Sequence, residues 1–531
     1  MIHHQAKQAY QALLLLTLFS LFLSCKKDPQ EPDPEPASSR TELTADSIFL
    51  YAKEVYLWNE SLPNYNTFDP RQYVQSDEES GFEQELFAIS RYATDPLTGK
   101  SYEYTADEVN GTKYSYISNT EDANPVAVLA SRKSAVDLEG NGYDLGLNVG
   151  FYRVDNVSNN YRIYVLEVSP NSPAAKKGMS RGDIIKTVNG QTLGSDFDKE
   201  YSVLDDTFFS STVSTAVLTG TKQDGTPLNV TLVKSSYKSS PVNIDTVYTV
   251  GAKKIGYFVF SEFSTKANAE ARLNDVFDKF SSAGVTDLIV DLRYNGGGYV
   301  STAEHLTNLI VPSSVGTGTM FTERFNTLMQ TGKAEILKKL PLLDDNDNIQ
   351  YSNGKMLTYA DADYSINGNT YKFAKKGPLN NLSNVVFITT DGTASASELV
   401  INNLKPHMNV KTVGETSYGK PVGFFPLRID KYDVYMSMFE SRNSKGEGGY
   451  YSGITPDASA FDDPRYAFGD LREECLAKAY AYLARGTFTL SPTTIAASSA
   501  SGGAKLRTLQ SSRKTLSRDF KGMVEDRIRK P

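Results

Sequence analysis

The sequence predicts an α/β fold in which a layered core of strands and helices follows a strand-rich block and a small helical region. From about residue 254 onward, apolar strand patterns such as "VTDLIVDLR" and "LSNVVFITT" alternate with helix patterns such as "ANAEARLNDVFDKFSSAG". This alternation is typical of α/β layer folds. Residues 142–192 instead contain alternating apolar and polar residues between turn signals, which predicts consecutive strands. Residues 41–97 place their apolar residues at helical spacing.

The composition limits the classes of function. The 531 residues are 40% hydrophobic and 22% charged, which is typical of a globular protein with an ample core and about three or four domains. The formal net charge of -8 argues against nucleic acid as the main partner. Only His305 and His407 lie beyond the first four residues, too few for an ordinary zinc site or a Ser-His-Asp triad. The two cysteines, Cys25 and Cys475, exclude a disulfide framework, and we expect no metal or organic cofactor.

The first 40 residues predict export and anchoring. Residues 1–24 have the form of a signal peptide, because the apolar stretch at 12–23 is too short to span a bilayer. It ends in "FLSC", which resembles a bacterial lipoprotein cleavage box and would make Cys25 the lipidated first residue. Residues 25–40, rich in proline and acidic side chains, predict an extended tether. The expected location is the bacterial cell envelope, at the outer membrane, facing the periplasm or the surface; a plain secretory signal with an incidental cysteine is the alternative.

The stretch "SPNSPAAKKGMSRGDIIKTVNGQTL" carries the signals of a short helix between strands. Ser172 is a good helix N-cap, Pro173 suits a first turn, and Gly178 can end the helix. In this order the residues resemble a PDZ domain of the kind found in C-terminal processing peptidases, and we assign residues 140–240 to it. Such domains bind peptide ends by adding a strand to a sheet edge, here expected near residues 145–149. A PDZ-like domain that only packs is the alternative.

The stretch "DGTASASELV" contains the candidate nucleophile. It follows an apolar strand and precedes a helical pattern, so Ser395 is expected at the head of a helix, at the carboxyl end of a strand. Open α/β folds place their sites there. The N–H of Ala396 would point from the helix start toward an oxyanion formed at Ser395. The alternative is that Ser395 only caps the helix, with Glu398 as its capping-box partner.

A nucleophilic serine needs a base, and histidine is scarce in this chain. A lysine can serve when burial lowers its pKa from about 10.4 toward 7–8. Lys420 follows Ser395 by 25 residues, in "VGETSYGKPVGF", just beyond a predicted strand. Gly419 beside it allows a close approach of the backbone. The residues therefore favour a serine–lysine pair.

"TASASE" followed 25 residues later by "GK" resembles the Ser-Lys dyad of the C-terminal processing peptidases (tail-specific proteases, peptidase family S41). The resemblance implies that Ser395, and not Ser397, is the nucleophile and that Lys420 is the general base. Glu398 matches a glutamate that supports the dyad in part of the family. Because an ionised Glu398 beside Lys420 would raise the lysine pKa, we expect an orienting or structural role for it.

"DLRYNGGGYVSTA" resembles a second signature of that family, D-L-R-x-N-x-G-G. The resemblance implies that Gly297 is the second oxyanion donor beside Ala396, with Gly298 as the alternative. A phosphate-binding loop is a weaker interpretation, since no Gly-Lys-Ser/Thr follows. We expect the polar residues of this loop, Asp291, Arg293 and Asn295, to hold it in place. "YYSGITPD" resembles the segment that closes the family's catalytic domain.

The resemblance implies a ClpP/crotonase-like α/β catalytic core at residues 241–485. A helical N-terminal domain with a connector is expected at 41–139, and a low-complexity basic tail at 486–531. The implied function is that of a serine endopeptidase that cleaves unstructured or C-terminal segments of envelope or extracellular proteins through an acyl-enzyme, with a peptide or an unfolded protein as substrate. The alternative is a non-catalytic peptide- or ligand-binding lipoprotein on the same scaffold. A non-peptide acyl hydrolase is a third option, although it would not need a PDZ domain.

Overall fold

The computed structural model describes residues 38–106, 110–120, 136–154, 159–209, 213–343, 348–490, 507–508 and 522–524. The predicted signal peptide, the predicted lipidation site Cys25 and most of the predicted tether lie outside these residues, as does most of the basic tail. In the part of the chain that is described, no helix combines the length and the apolar character that crossing a membrane requires.

The N-terminal region is helical, as the spacing of its apolar residues predicts. Its elements are the helices Arg40–Val55, Tyr65–Phe68 and Glu78–Ser90, the 3-10 turns Asn59–Ser61 and Pro70–Tyr73, and the strand Tyr116–Asn119. The first helix begins with a capping box, because Ser39 Oγ accepts from the Glu42 N–H while the Glu42 carboxylate accepts from the Ser39 N–H. Most of the buried apolar side chains of the region belong to the same cluster as those of the α/β core. The region is therefore built onto that core.

The strand-rich block forms a main sheet, a separate two-stranded sheet of its first and last strands, and two helices. Its strands are Asn141–Asp144, Leu147–Arg153, Tyr161–Val168, Ile184–Val188, Gln191–Thr192, Thr215–Thr221, Pro227–Val233 and Ser235–Lys238, and its helices are Pro173–Lys176 and Phe197–Phe208. The predicted turn chemistry is confirmed, because Ser172 Oγ accepts from the Ala175 N–H at 3.2 Å. Asn189 and Gly190 both have positive φ, 50° and 83°, as a tight hairpin turn requires. The block has its own buried cluster of apolar side chains.

The central sheet has six strands in the order Val242–Val250, Lys253–Phe260, Asp287–Asp291, Asn384–Thr389, Asn409–Gly414 and Ala458–Ser459. The first pair is antiparallel and the others are parallel. Helices Lys266–Ala283, Val300–Ile310 and Ala396–Leu404 cover one face, and helix Glu474–Arg485 covers the other. Since both faces are buried, the central strands are continuous apolar runs. The predicted α/β class is confirmed.

The remaining elements lie outside the central sheet. They are the strands Gly297–Tyr299, Thr319–Phe325, Tyr351–Ser352, Lys355–Met356, Thr370–Lys372, Val422–Gly423, Leu427–Ile429, Tyr432–Tyr435 and Phe439–Asn443, the helix Thr327–Gln330, and the 3-10 turns Ser313–Val315, Glu335–Lys339 and Tyr359–Asp361. Two short strands of the tail, Arg507–Thr508 and Gly522–Val524, complete the described elements.

Candidate active site

The predicted nucleophile lies at a strained turn between a central strand and a helix. Ser395 immediately precedes helix Ala396–Leu404 and has φ 57° and ψ -110°. A residue other than glycine seldom adopts this conformation, which costs about 1–3 kcal/mol. Ser395 is fully buried, and its Oγ has no hydrogen-bond partner among the described residues. A strained turn that holds an unbonded hydroxyl is the geometry of a presented nucleophile.

Hydrogen bonds to the neighbouring loop hold this turn in place. The N–H of Ala394 donates to the backbone carbonyl of Asn295 at 3.1 Å, and Ser397 Oγ donates to the same carbonyl at 3.1 Å. Thr393 Oγ1 donates to the carbonyl of Leu292 at 2.8 Å. The two stretches that resemble the family signatures are therefore in direct contact. Ser397, the other serine of the motif, has a structural partner, whereas Ser395 Oγ has none.

Glu398 connects the backbone at Ser395 to the backbone of residues 417–420, which we call the lysine segment. Its Oε2 accepts from the N–H of Ser395 at 2.8 Å and from the N–H of Lys420 at 2.8 Å. Its Oε1 accepts from the N–H of Gly419 at 2.7 Å and from the Ser417 hydroxyl. Burial raises the pKa of Glu398, and the hydrogen bonds that it accepts, the one from Ser417 foremost, oppose that rise. One carboxylate therefore fixes the backbone positions of both predicted dyad residues.

Lys420 lies in a pocket lined by aromatic rings. Its side chain is 2% exposed, and Nζ lies 4.2 Å from the ring centroid of Phe424 and 5.8 Å from that of Tyr114. Burial lowers the pKa of Lys420 from 10.5 to about 7, although the carboxylates of Glu103 and Glu398 act in the opposite direction. An amine with such a pKa is partly neutral near pH 7, as a general base must be.

Glu103 is a part of this site that sequence reasoning missed. It is fully buried, and it accepts from the N–H of Ser115 at 2.9 Å and from the hydroxyls of Tyr56 and Ser437, each at 3.1 Å. It is also the strongest of the influences that raise the pKa of Lys420. The hydroxyl of Tyr114, from the same connector, donates to the carbonyl of Gly419. The N-terminal region thus forms one wall of the lysine pocket.

Glu103→Gln is expected to move the acid limb of the pH–kcat/KM profile to lower pH by roughly 0.5–1 unit. The amide has nearly the same shape but no charge, so the neutral amine of Lys420 is reached at lower pH. The measurement is kcat/KM on a fluorogenic peptide across the pH range, with Glu60→Gln, an exposed glutamate of the same region, as the control. An acid limb that stays in place in a folded variant would contradict this influence.

The loop that contains Gly297 and Gly298, which we call the glycine loop, differs from the expectation at one of the two predicted oxyanion donors. Gly297 and Gly298 have φ of 111° and 130°, and a Cβ on Gly298 would lie 2.2 Å from the Phe263 carbonyl oxygen, so only glycine fits there. The N–H of Gly297 donates to Asn295 Oδ1 at 2.9 Å and is therefore already engaged. The carbonyl of Gly297 accepts from the Phe263 N–H, and the N–H of Tyr299 donates to the Phe263 carbonyl. The N–H and the carbonyl of Gly298 therefore face the opposite edge of this short strand. The geometry favours Gly298, the predicted alternative, as the second donor.

A buried ionic network holds the base of that loop. Arg293 donates to Asp291 at 2.7 Å, to Asp462 at 2.7 Å and to Glu473 at 3.1 Å. Arg181, from the strand-rich block, donates to the same oxygen of Asp462. Burial acts to raise the pKa of Asp462, but Arg181 and Arg293 hold it well below its usual range. The predicted loop-holding role of Asp291 and Arg293 agrees with these contacts, which also join the strand-rich block to the core.

The two histidines lie away from this arrangement. His305 pairs with Asn274, and burial, with the charge of Lys376, lowers its pKa to about 4. His407 Nε2 pairs with Ser444 Oγ at 2.8 Å. In the described ranges, no group of three histidine, cysteine or acidic side chains is arranged to hold a metal ion.

Sequence comparison relates two parts of the chain to known families. Residues 254–460 match the profile of peptidase family S41, and residues 146–232 match that of the PDZ domain. The chain is 25% identical over 329 residues to the chloroplastic C-terminal processing peptidase of Tetradesmus obliquus, a match that covers 59% of each protein. It is 26% identical over 315 residues to the carboxy-terminal processing protease CtpA of Bacillus subtilis (strain 168), covering 57% of this chain and 54% of the relative. The matches thus span little more than half the length of these relatives.

Structure comparison agrees on the fold. A crystal structure of a Bacteroides fragilis protein named for the S41 proteases superposes with a TM-score of 0.55 at 21% identity, covering 86% of this chain and 99% of that one. The S41 profile covers the central sheet apart from its first strand, together with the serine turn and the lysine segment, and the PDZ profile covers most of the strand-rich block. The chain thus contains an S41 peptidase domain, matched at residues 254–460, and a PDZ domain ahead of it, matched at residues 146–232.

Proposed function

We propose that this chain is a serine endopeptidase with Ser395 as nucleophile and Lys420 as general base. The observation that carries the proposal is the link through Glu398. A single buried carboxylate oxygen accepts from the backbone of both residues, one with an unbonded hydroxyl at a strained turn and the other with a pKa lowered to about 7. A non-catalytic binding protein would need neither the strained serine nor the buried amine.

The chemistry follows from these positions. Ser395 Oγ attacks the carbonyl carbon of the scissile peptide bond while Lys420 Nζ accepts the hydroxyl proton. The N–H groups of Ala396 and Gly298 hold the oxyanion of the tetrahedral intermediate. Ala396 is the first residue of its helix, so its N–H has no acceptor within the helix and is free to serve this purpose. Lys420 then delivers its proton to the leaving amine, and water, activated by the same lysine, hydrolyses the acyl-enzyme.

Glu398 is a positioning residue in this scheme. As an anion it receives four donors, so it holds its charge although it is buried. It raises the lysine pKa, but burial lowers that pKa by more. Its contribution is to keep the serine turn and the lysine segment at a fixed separation, and chemistry of this kind is sensitive to displacements of about 1 Å.

The substrates we propose are unstructured or C-terminal segments of proteins in the cell envelope or outside the cell. The S41 match suggests peptide substrates. Among the described strands of the PDZ sheet, only the two-residue tail segment Arg507–Thr508 lies outside strand Leu147–Arg153, so an extended peptide can add beside that strand. Anchoring through a lipid on Cys25 would place the enzyme at the outer membrane, facing the periplasm or the surface. The same edge would capture the substrate before it reaches Ser395.

Digestion of an unfolded protein tests this function. The chain from residue 26 onward, without the predicted signal peptide, is incubated with a reduced and alkylated protein, and the products are mapped by mass spectrometry. We expect discrete new termini with the parent enzyme and none with Ser395→Ala. No products from the parent across neutral and alkaline pH would favour the non-catalytic binding lipoprotein. The same products from both proteins would contradict Ser395 as the nucleophile.

A further inference from the structure

Two short segments of the basic tail lie on sheet edges of the two domains. Arg507–Thr508 pairs antiparallel with Tyr152 and Arg153, at the end of the PDZ edge strand Leu147–Arg153. Gly522–Val524, which we call the tail strand, pairs in parallel with Gly297–Tyr299 of the glycine loop. The two contacts are made by one stretch of chain, and each falls on a surface to which the proposed function assigns substrate binding.

The tail strand lies against the glycine loop of the candidate active site. Its register places Gly298 opposite Met523. The backbone groups of Gly298 face this edge, because those of its neighbours face Phe263. The tail strand also contacts strand Val422–Gly423, which begins two residues after Lys420. Residues 522–524 therefore contact both the strand that carries the predicted oxyanion amide and the strand that follows the predicted base.

The second contact is a strand addition at the PDZ sheet. The edge strand pairs with Tyr161–Val168 on one side and with Arg507–Thr508 on the other, so the tail forms the outermost strand of this sheet. Helix Phe197–Phe208 also packs against the edge strand. PDZ domains capture peptides by adding a strand beside such an edge.

The length and the charge of the tail suit both contacts. Thirteen residues separate the two segments in sequence, which allows a span of up to about 45 Å at full extension. From residue 505 the tail has nine basic and three acidic residues, whereas the whole chain has a net charge of -8, so the rest of the chain is strongly acidic. Opposite charges favour docking of the tail on its own chain.

We propose that the basic tail is an intramolecular ligand of both strand-binding edges, and that it holds the peptidase in an autoinhibited state which substrate must displace. The docking stands on the observed pairing alone. The inhibition rests on the proposed peptidase function, because the tail strand pairs with the glycine loop where the oxyanion of a substrate would bind. A tethered ligand acts at an effective concentration of about 1 mM, so even weak docking competes with substrate in solution.

Docking is tested first in a variant that lacks the proposed nucleophile and therefore cannot cleave substrate. In Ser395→Ala, hydrogen–deuterium exchange is followed in the peptide that contains Gly298, with Val524→Pro and Val524→Ala in the tail. In the observed parallel register the N–H of Val524 faces the Gly298 carbonyl, and proline removes that donor whereas alanine keeps it. We expect exchange to become about tenfold faster with proline and to stay unchanged with alanine. Equal exchange in the proline and alanine variants would overturn the docking.

Inhibition is tested in the chain with Ser395 intact. Val524→Pro is expected to raise kcat/KM on an unfolded substrate at least about fivefold over Val524→Ala, mainly through a lower KM, because substrate no longer competes with the tethered strand. If the exchange effect is present and both variants cleave equally well, the autoinhibition is wrong. If the exchange effect is present and neither variant cleaves, the docking stands and the peptidase function fails. The two proposals are thus separable.

Discussion

Ser395→Ala is expected to lower kcat/KM by about 10⁴-fold or more while the protein stays folded, since removal of a catalytic nucleophile leaves only binding and oxyanion stabilisation. Among the residues that the structure describes, the Ser395 side chain has no hydrogen-bond partner that alanine would remove. The measurement is kcat/KM on a fluorogenic peptide, together with a thermal unfolding curve for each variant.

Two further substitutions serve as controls for this result. Ser397→Ala removes only the hydrogen bond to the Asn295 carbonyl, so it should retain at least about a tenth of the activity. Ser395→Gly should be inactive and yet more stable by about 1 kcal/mol, because glycine adopts the φ of 57° without strain. A loss of activity in Ser397→Ala that matches the loss in Ser395→Ala would contradict the choice of nucleophile.

The second large effect concerns Lys420 and pH. The general base must be neutral, and burial lowers the pKa of Lys420 to about 7, so kcat/KM should rise with pH through about 7 and then level off. Lys420→Met removes the base, and Lys420→Arg keeps a positive charge that cannot be lost near neutral pH. Both variants should lose about 10³-fold or more in kcat/KM.

The control for this prediction is Lys333→Met, which removes an exposed lysine and should leave the pH profile unchanged. A profile that stays flat from acidic to alkaline pH in the parent enzyme would contradict a lysine base with this pKa. So would substantial activity in Lys420→Arg, because a guanidinium cannot accept the serine proton.

Much of the fold could be predicted because local chemistry decides it. The central strands are continuous apolar runs, since helices cover both faces of the sheet, and that pattern is visible in the sequence. Gly284 ends helix Lys266–Ala283 in the left-handed conformation, as its position after an amphipathic run indicates. Ser395 at a strand-to-helix turn was likewise a local inference, and the structure has it there.

The parts of the site that could not be predicted depend on contacts between residues distant in sequence. Glu103 reaches the lysine pocket only because the connector packs against the segment at Gly419, and no local pattern marks that glutamate. Arg181 lies in the stretch that resembles a PDZ domain, and no local pattern indicates that it binds Asp462 in the core. The choice between Gly297 and Gly298 depends on which edge of a short strand each backbone N–H faces, and the amino-acid sequence alone does not predict that orientation.

The most direct test of the serine–lysine assignment is to locate a covalent label and its pH dependence. The enzyme is treated with a serine-directed fluorophosphonate at about pH 5.5 and about pH 8.5, values that bracket the lysine pKa, and the modified residue is found by peptide mapping. We predict a label on Ser395 that forms faster at the higher pH and does not form in Lys420→Met. A label on another residue, or equal labelling of Ser395 in Lys420→Met, would contradict the proposed mechanism.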